Sequence, residues 1–296
     1  MYQSGFVGIV GRANVGKSTL LNALMGTDYA IVSDKPQTTR KNIRMIYTTE
    51  GFQIVFVDTP GLHQPKSELG KQMVKNAKSA VTDVDLLLLV ADARDEKPAP
   101  SDVEVLERLS GSKMPVILVM NKVDLVQKER LLLLIDRLRA LYPFAAMIPV
   151  SALKGEGVKL ILEEILKHLP EGDQLYPEDM VTDQTERQLA ADKIREKALR
   201  MLDKEVPHGI EVEIERFRHI DDKNLYEIYA TIYCEKDSHK KIIIGKNGEI
   251  LKKIGSSARI DIERMMESKV YLNLWVKTRK DWRNDTLALR RLGYYD

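Results

Sequence analysis

Cysteine is nearly absent: the 296 residues contain one, Cys234. A lone thiol cannot close an intramolecular disulfide, so a disulfide-stapled secreted scaffold is excluded and a reducing compartment is expected. Long apolar runs are missing as well. The longest, Leu86–Ala91 and Leu131–Ile135, fall far short of the ~18 residues of a membrane span. No basic stretch precedes an apolar one near Met1, so no secretory signal is expected, and a cytoplasmic location is the simplest reading. Charge of one sign is also lacking, 46 basic residues standing against 44 acidic ones. There is no internal repeat and no low-complexity tract.

What is present is ample aliphatic material, 44% hydrophobic residues with 30% charged, which excludes disorder of the chain as a whole. The length suits two domains. Residues 1–170 alternate strand-like runs (Phe6–Val10, Ile43–Thr48, Gln53–Val57, Leu86–Ala91, Val116–Met120, Met147–Val150) with amphipathic stretches (Glu68–Val81, Asp102–Leu109, Glu129–Leu141, Val158–Leu169). From the third strand on the runs are continuously apolar, as in a mostly parallel sheet covered on both faces, so the expected class is a doubly wound α/β domain. Ser101–Glu104 reads as a capping box and Gly111 as a helix stop. Residues 171–186 hold several carboxylates with Pro177 and Gly172, the composition of a solvated linker. Residues 187–296 read as a smaller α+β module: helix, strand 211–217, strand 225–235, helix, Gly turn, helix 249–267, strand 270–277 and helix 281–292. Local charge is uneven there, with seven bases against two acids over 236–259 and six against two over 277–291. A footprint for a polyanion is expected in that region.

Three short motifs carry chemistry. The run from Gly11 through Asn14, Val15, Gly16, Lys17, Ser18 and Thr19 follows a strand and opens a helix, a P-loop pattern whose backbone N–H groups and helix N-terminus receive phosphates. Lys17 can reach the β/γ oxygens, and Ser18 can offer its hydroxyl to Mg²⁺. Asp58-Thr-Pro-Gly61 ends a strand, where the carboxylate can hold the metal and the Gly61 amide can meet the γ-phosphate. Asn121-Lys122-Val-Asp124 ends another. Asp124 can accept both N–H donors of guanine, which adenine lacks, while the Lys122 stem lies over the base and Ser151-Ala152 supplies backbone N–H groups to O6. Together these predict GTP and GDP as ligands, with Lys17 and Gly61 acting on the transferred phosphoryl group.

The set Gly11–Ser18, Thr38-Thr39, Asp58–Gly61, Asn121–Asp124 and Ser151-Ala152 resembles the five motifs of the translation-factor-type GTPases. The resemblance implies that one Thr of Thr38-Thr39 completes the Mg²⁺ shell with Ser18 and Asp58; Thr39 is favoured, with Thr38 left open. Many relatives carry Gln after Asp-x-x-Gly, where this chain has Leu62, followed by His63 and Gln64. GTPases with an apolar residue at that place often carry an Asn in the P-loop, as Asn14 here, and in several of them it ligates K⁺. Arg12 and Arg40 are candidate arginine fingers.

In the second module, Ile243-Ile244-Gly245-Lys246-Asn247-Gly248, followed by Lys252 and Lys253, resembles the signature of a bacterial-type KH domain. A side-chain-poor Gly-x-x-Gly turn admits a sugar–phosphate backbone, and the aliphatic residues, Ile250 among them, would form a platform under the bases. The whole chain resembles the Era family of ribosome-assembly GTPases, an Era/TrmE-type GTPase domain followed by one KH domain. That resemblance implies binding near the 3′ end of small-subunit ribosomal RNA, a role in maturation of the small ribosomal subunit, a monomer, and a weak peripheral contact with the inner face of the cell membrane. Two other functions compete with this reading. A GTPase that assists RNA modification would need a further catalytic constellation, and none is seen. An RNA-binding adaptor with a degenerate nucleotide fold conflicts with intact Lys17, Ser18, Asp58, Asn121 and Asp124.

Overall fold

The computed structural model describes every residue except 34, 36, 62–64, 66, 80–82, 204–205 and 296. Contacts divide the chain into two units: Met1–Ala30, Thr39–Gln64 and Met73–Asp183 form the first, and Ile31–Thr38, Pro65–Gln72 and Gln184–Asp296 the second.

The first unit is built on a six-stranded sheet in the order β2-β3-β1-β4-β5-β6, comprising β1 Gln3–Val10, β2 Ile43–Thr48, β3 Phe52–Asp58, β4 Leu86–Asp92, β5 Val116–Asn121 and β6 Ala146–Val150. Only β2 runs antiparallel, against β3. Every residue of β4 is buried, which is why its sequence shows no alternation. One face of the sheet packs on α1 (Lys17–Met25) and α5 (Val158–Leu166) through Leu20, Leu21, Leu24, Ile161 and Ile165. The other packs on α3 (Pro100–Arg108) and α4 (Lys128–Arg139) through Val105, Leu106, Leu134 and Leu138. The expected capping box at Ser101 does not form. Helix α3 opens two residues earlier, with Pro100 at its first position and Ala99 as an uncapped N-cap, because proline's fixed φ already suits a helix start.

The acidic stretch after α5 is not a free, solvated linker. The buried Gln53 side chain accepts from the Leu175 and Tyr176 amides (2.8 Å each) and donates to the Tyr176 carbonyl (2.9 Å). Ser4 Oγ donates to the Asp173 carbonyl, and the Ile46 amide to the Val181 carbonyl. Residues 170–183 are thereby strapped to the sheet through backbone groups, which side-chain composition does not report.

The second unit has a three-stranded sheet, β7-β8-β9, with β7 (Glu211–Ile220) antiparallel and β9 (Lys269–Thr278) parallel to β8 (Leu225–Cys234). Helices α6 (Glu186–Met201), α7 (Asp237–Ile244) and α8 (Glu249–Met266) complete the order α-β-β-α-α-β. Strand β7 contains a bulge between Ile214 and Arg216. The extra residue resets the alternation, so Phe217 returns to the core face of Val212 and Ile214 despite its odd spacing. The last helix, α9, spans only Thr286–Arg291, capped by Asp285, rather than 281–292. Within this unit Arg195 on α6, itself buried, donates to the Thr38 carbonyl (2.7 Å), and Arg200 to that of Val32 (3.0 Å).

Candidate functional site

The P-loop links β1 to α1. Gly16 caps the helix at φ +98°, with no side-chain cap on the first amides and no carboxylate in the first turn, so the helix dipole faces an anion unopposed. A Cβ on Gly16 would lie 2.3 Å from Asn121 Nδ2, so glycine is required here by the neighbouring loop as well as by any phosphate. Val15 contributes only its backbone, its side chain lying in the core. Lys17 is buried; its ammonium donates to the Gly11 (3.0 Å) and Arg12 (3.1 Å) carbonyls. Burial lowers its pKa, and the Asp58 charge opposes that.

Ser18, Thr39 and Asp58 converge. Ser18 Oγ lies 3.0 Å from Thr39 Oγ1 and donates to Asp58 Oδ2 at 3.0 Å; Thr39 Oγ1 donates to the same oxygen at 3.2 Å. Asp58 Oδ1 is buried without a well-formed hydrogen bond. Burial pushes the Asp58 carboxyl up, while Lys17 and the two hydroxyls favour its charged form. Two hydroxyls and a carboxylate with an unsatisfied oxygen form a hard-oxygen donor set of the kind that suits Mg²⁺. Thr38 is turned elsewhere, its hydroxyl donating to the Lys35 carbonyl (2.6 Å). Of the pair, only Thr39 joins the cluster. Gly61 lies against the P-loop so closely that a Cβ would sit 2.8 Å from Ala13 Cα. Leu62, His63 and Gln64 lie outside the described residues.

At the base side, Asn121 acts as a staple. Its amide donates to the Val15 carbonyl (2.8 Å), and its Oδ1 accepts from the Lys122 (2.8 Å) and Ala152 (3.0 Å) amides. The Ser151 amide donates to the Glu156 carbonyl. Both amides expected to serve guanine O6 are therefore engaged within the protein, because the β6 end folds back into a turn. Lys122 reaches the Asn14 carbonyl and Asp92 Oδ2 (2.8 Å). Burial would raise Asp92, but hydrogen bonds from Arg94 and Lys122 hold it well below the usual carboxylate range. Asp124 is nearly buried, with Lys154 at 4.0 Å. Thr19 lies in the first turn of α1. Asn14 sits exposed at φ +66°, a left-handed conformation that asparagine adopts more readily than most residues. Of the candidate fingers, Arg12 is paired with Asp95 (2.6 Å) and Arg40 is buried. A feature the sequence did not flag is Asp102 on α3, buried close to Arg12, Asp95 and Lys17; burial pushes it up to about 6.

In the second unit the Gly-x-x-Gly turn joins α7 to α8, with Gly245, Asn247 and Gly248 all at positive φ. Lys246, Asn247, Lys252 and Lys253 are exposed. Ile243 is a correction: it is fully buried in the core and cannot touch RNA, because α7 turns that face inward. Ile244 and Ile250 are half-buried, while Ile242 of the same helix α7 is exposed. Beside the turn runs a groove of about 420 Å³ between α8 and β9, lined by Gly248, Lys252, Ser256, Arg259, Leu272 and Asn273 among others. Sequence reasoning missed Ser256 and Asn273, which only the strand–helix juxtaposition brings in. The basic run 277–291 is largely neutralised, since Lys277, Arg279, Arg283 and Arg291 pair with Glu215, Asp285, Glu235 and Glu213.

Comparison with known proteins agrees with the two-part architecture. A family model described as "50S ribosome-binding GTPase" matches residues 6–122, and a KH domain model matches 205–283. The GTPase Era of Ruminiclostridium cellulolyticum is 52% identical over 293 residues, covering 99% of this chain and 98% of that protein. The chain belongs to the Era family. Era of Clostridium botulinum is likewise 52% identical, over 294 residues. Among solved structures, Era in complex with MgGDPNP and nucleotides 1506–1542 of 16S ribosomal RNA superposes with a TM-score of 0.95 at 40% identity, each chain covered fully. A variant of Aquifex aeolicus Era bound to GDP and AlF4⁻ gives 0.94 at 41%, covering 99% and 100%. As a member of the Era family the chain is a GTPase with a KH domain. Among the described residues, no helix is long and apolar enough to cross a membrane.

Proposed function

We propose that this Era-family chain is a GTP-hydrolysing switch that binds small-subunit ribosomal RNA near its 3′ end and serves in assembly of that subunit. The observation that carries the reading is the presence, in one chain, of the Ser18–Thr39–Asp58 cluster under the P-loop and an open groove beside an exposed Gly-x-x-Gly turn. The "50S" wording of the domain model describes a match to residues 6–122 only. The Era complex that aligns over the whole chain holds a 16S segment, and it favours the small subunit.

Ser18, Thr39 and Asp58 would hold Mg²⁺, which when bound supplies positive charge against the phosphate oxygens. Lys17, now held by two carbonyls, exchanges one of them for a phosphate oxygen and follows the charge as it moves toward the leaving group. Gly61, close to the P-loop, offers its amide to the γ-phosphate. Asp124 selects guanine, and Asn121 keeps the phosphate, base and β6 loops in register. The deciding experiment measures RNA affinity with a GTP analogue, with GDP and without nucleotide, alongside GTP turnover. A nucleotide-dependent affinity supports the switch. Turnover with nucleotide-independent RNA affinity leaves an enzyme without a switch, and no turnover leaves an adaptor. The potassium expectation at Asn14 has its own test: equal turnover in matched potassium and sodium buffers removes it. The membrane expectation weakens with the pairing of the 277–291 bases.

A further inference from the structure

The sheet of the second unit has two unlike faces. Ile228, Ala230, Ile232, Val270 and Val276 point into the core. The opposite face carries an aromatic cluster: Tyr229 is stacked on Trp275 (centroids 5.8 Å apart, planes 16° apart), with Tyr271 at 5.9 Å and the Arg216 guanidinium 5.6 Å from the Tyr229 centroid. Trp275 and Tyr271 are 42% and 48% exposed, unusual for such large rings. Further along the same face, Tyr233 is buried, Arg291 of α9 pairs with Glu213, and Tyr294 bonds Glu211, so the chain's own C-terminal segment covers that end. The aromatic end is left open.

Its position identifies the occupant. In register, Tyr229 pairs with Asn273, and Asn273 stands between Tyr271 and Trp275 on β9, the edge strand. Asn273 also lines the α8–β9 groove beside Gly248 and Lys252. Groove and aromatic face therefore meet at one strand. The charges flanking the face are mutually paired, Arg216 with Glu227 and Lys277 with Glu215, so it offers ring faces rather than net charge. Rings of this kind stack on any base without reading its edge.

We propose that single-stranded RNA leaving the groove passes over the β9 edge and stacks its flanking bases on Trp275 and Tyr271. This rests on the RNA-binding reading of the groove. The platform lengthens the bound segment and adds affinity without adding sequence preference or phosphate contacts.

The test uses the full chain and the 16S segment 1506–1542 as probe. Removing both rings in Tyr271→Ala/Trp275→Ala should weaken binding by roughly tenfold or more, since each stacked base contributes roughly 5- to 150-fold. Trp275→Phe should retain most of the affinity, and the salt dependence should keep the wild-type slope because no phosphate contact is lost. The chain has two tryptophans, and Trp282 is fully buried, so RNA should shield only Trp275 from acrylamide, an effect lost in Trp275→Phe. Wild-type affinity in the folded double variant, or unchanged acrylamide quenching of Trp275 when RNA is bound to the wild-type chain, overturns the platform and leaves the face to a protein partner. Gly248→Asp separates the two readings: if it binds RNA normally the groove reading fails, and if it alone abolishes binding only the platform fails.

Discussion

At the scale of single residues, the sites divide into those whose chemistry is local and those whose role depends on distant neighbours. Asp124 belongs to the first kind. Asp124→Asn replaces an acceptor-only carboxylate with a group that also donates, so GTP affinity should fall by roughly 100-fold or more while xanthosine triphosphate gains. Titration of both nucleotides checks this, and unchanged GTP affinity would sink the assignment. Asp102 belongs to the second kind. Its carboxyl, normally at 3.8, sits at about 6 in the fold because burial penalises its charge. Between roughly pH 4 and 6 the folded chain thus holds a proton that the unfolded chain has lost, and stability falls as pH rises through that window. Asp102→Asn should therefore stabilise the protein at pH 8, by on the order of 2–3 kcal/mol, and by much less at pH 4. Paired melting curves at the two pH values decide it, and an equal shift at both would contradict the burial argument. Lys17, Ser18, Asp58 and Asp124 were legible because their spacing follows from phosphate and base chemistry. The stapling role of Asn121 was not, since it is defined by the Val15 and Ala152 backbones, 106 and 31 residues away.

At the scale of elements, each described strand was legible from an apolar run or from apolar–polar alternation, and departures occurred where backbone geometry overrides side-chain pattern. Pro100 moved the start of α3, and a bulge between Ile214 and Arg216 shifts the pairing within β7. The acidic strap is the largest departure. Composition predicted solvated chain, yet its attachment depends on Gln53, whose amide reads as an ordinary polar residue in a strand. Gln53→Leu would orphan the Leu175 and Tyr176 amides, at a cost of about 2–5 kcal/mol. The expected outcome is a lower melting temperature and rapid proteolytic cleavage within 171–183. If cleavage stays at the wild-type rate, the strap is held by its other contacts.

At the scale of the whole molecule, the two-part organisation was legible from the change in motif and composition, but a single cut in sequence does not describe it. Ile31–Thr38 and Pro65–Gln72 group with the C-terminal unit, tied in by Arg195, Arg200 and the Leu69 amide, which donates to the Arg283 carbonyl. The functions should still separate by mutation. Gly248 is at φ +79° with open space around it, so Gly248→Asp introduces local strain and a charge at the groove without a steric clash. RNA binding should fall below detection while GTP affinity and RNA-free turnover stay at wild-type levels. Loss of both would show that the turn supports the fold rather than the ligand.

Cys234 is completely buried in β8, its Sγ against the Lys236 and Lys277 carbonyls, and burial pushes the thiol up. The native surface is consequently inert to maleimides. A cysteine placed anywhere on the exterior becomes a unique attachment point for a fluorophore or spin label, with no need to remove the natural one. Under conditions where the native fold holds, slow modification of Cys234 itself then serves as a clock for transient opening of the sheet that carries it.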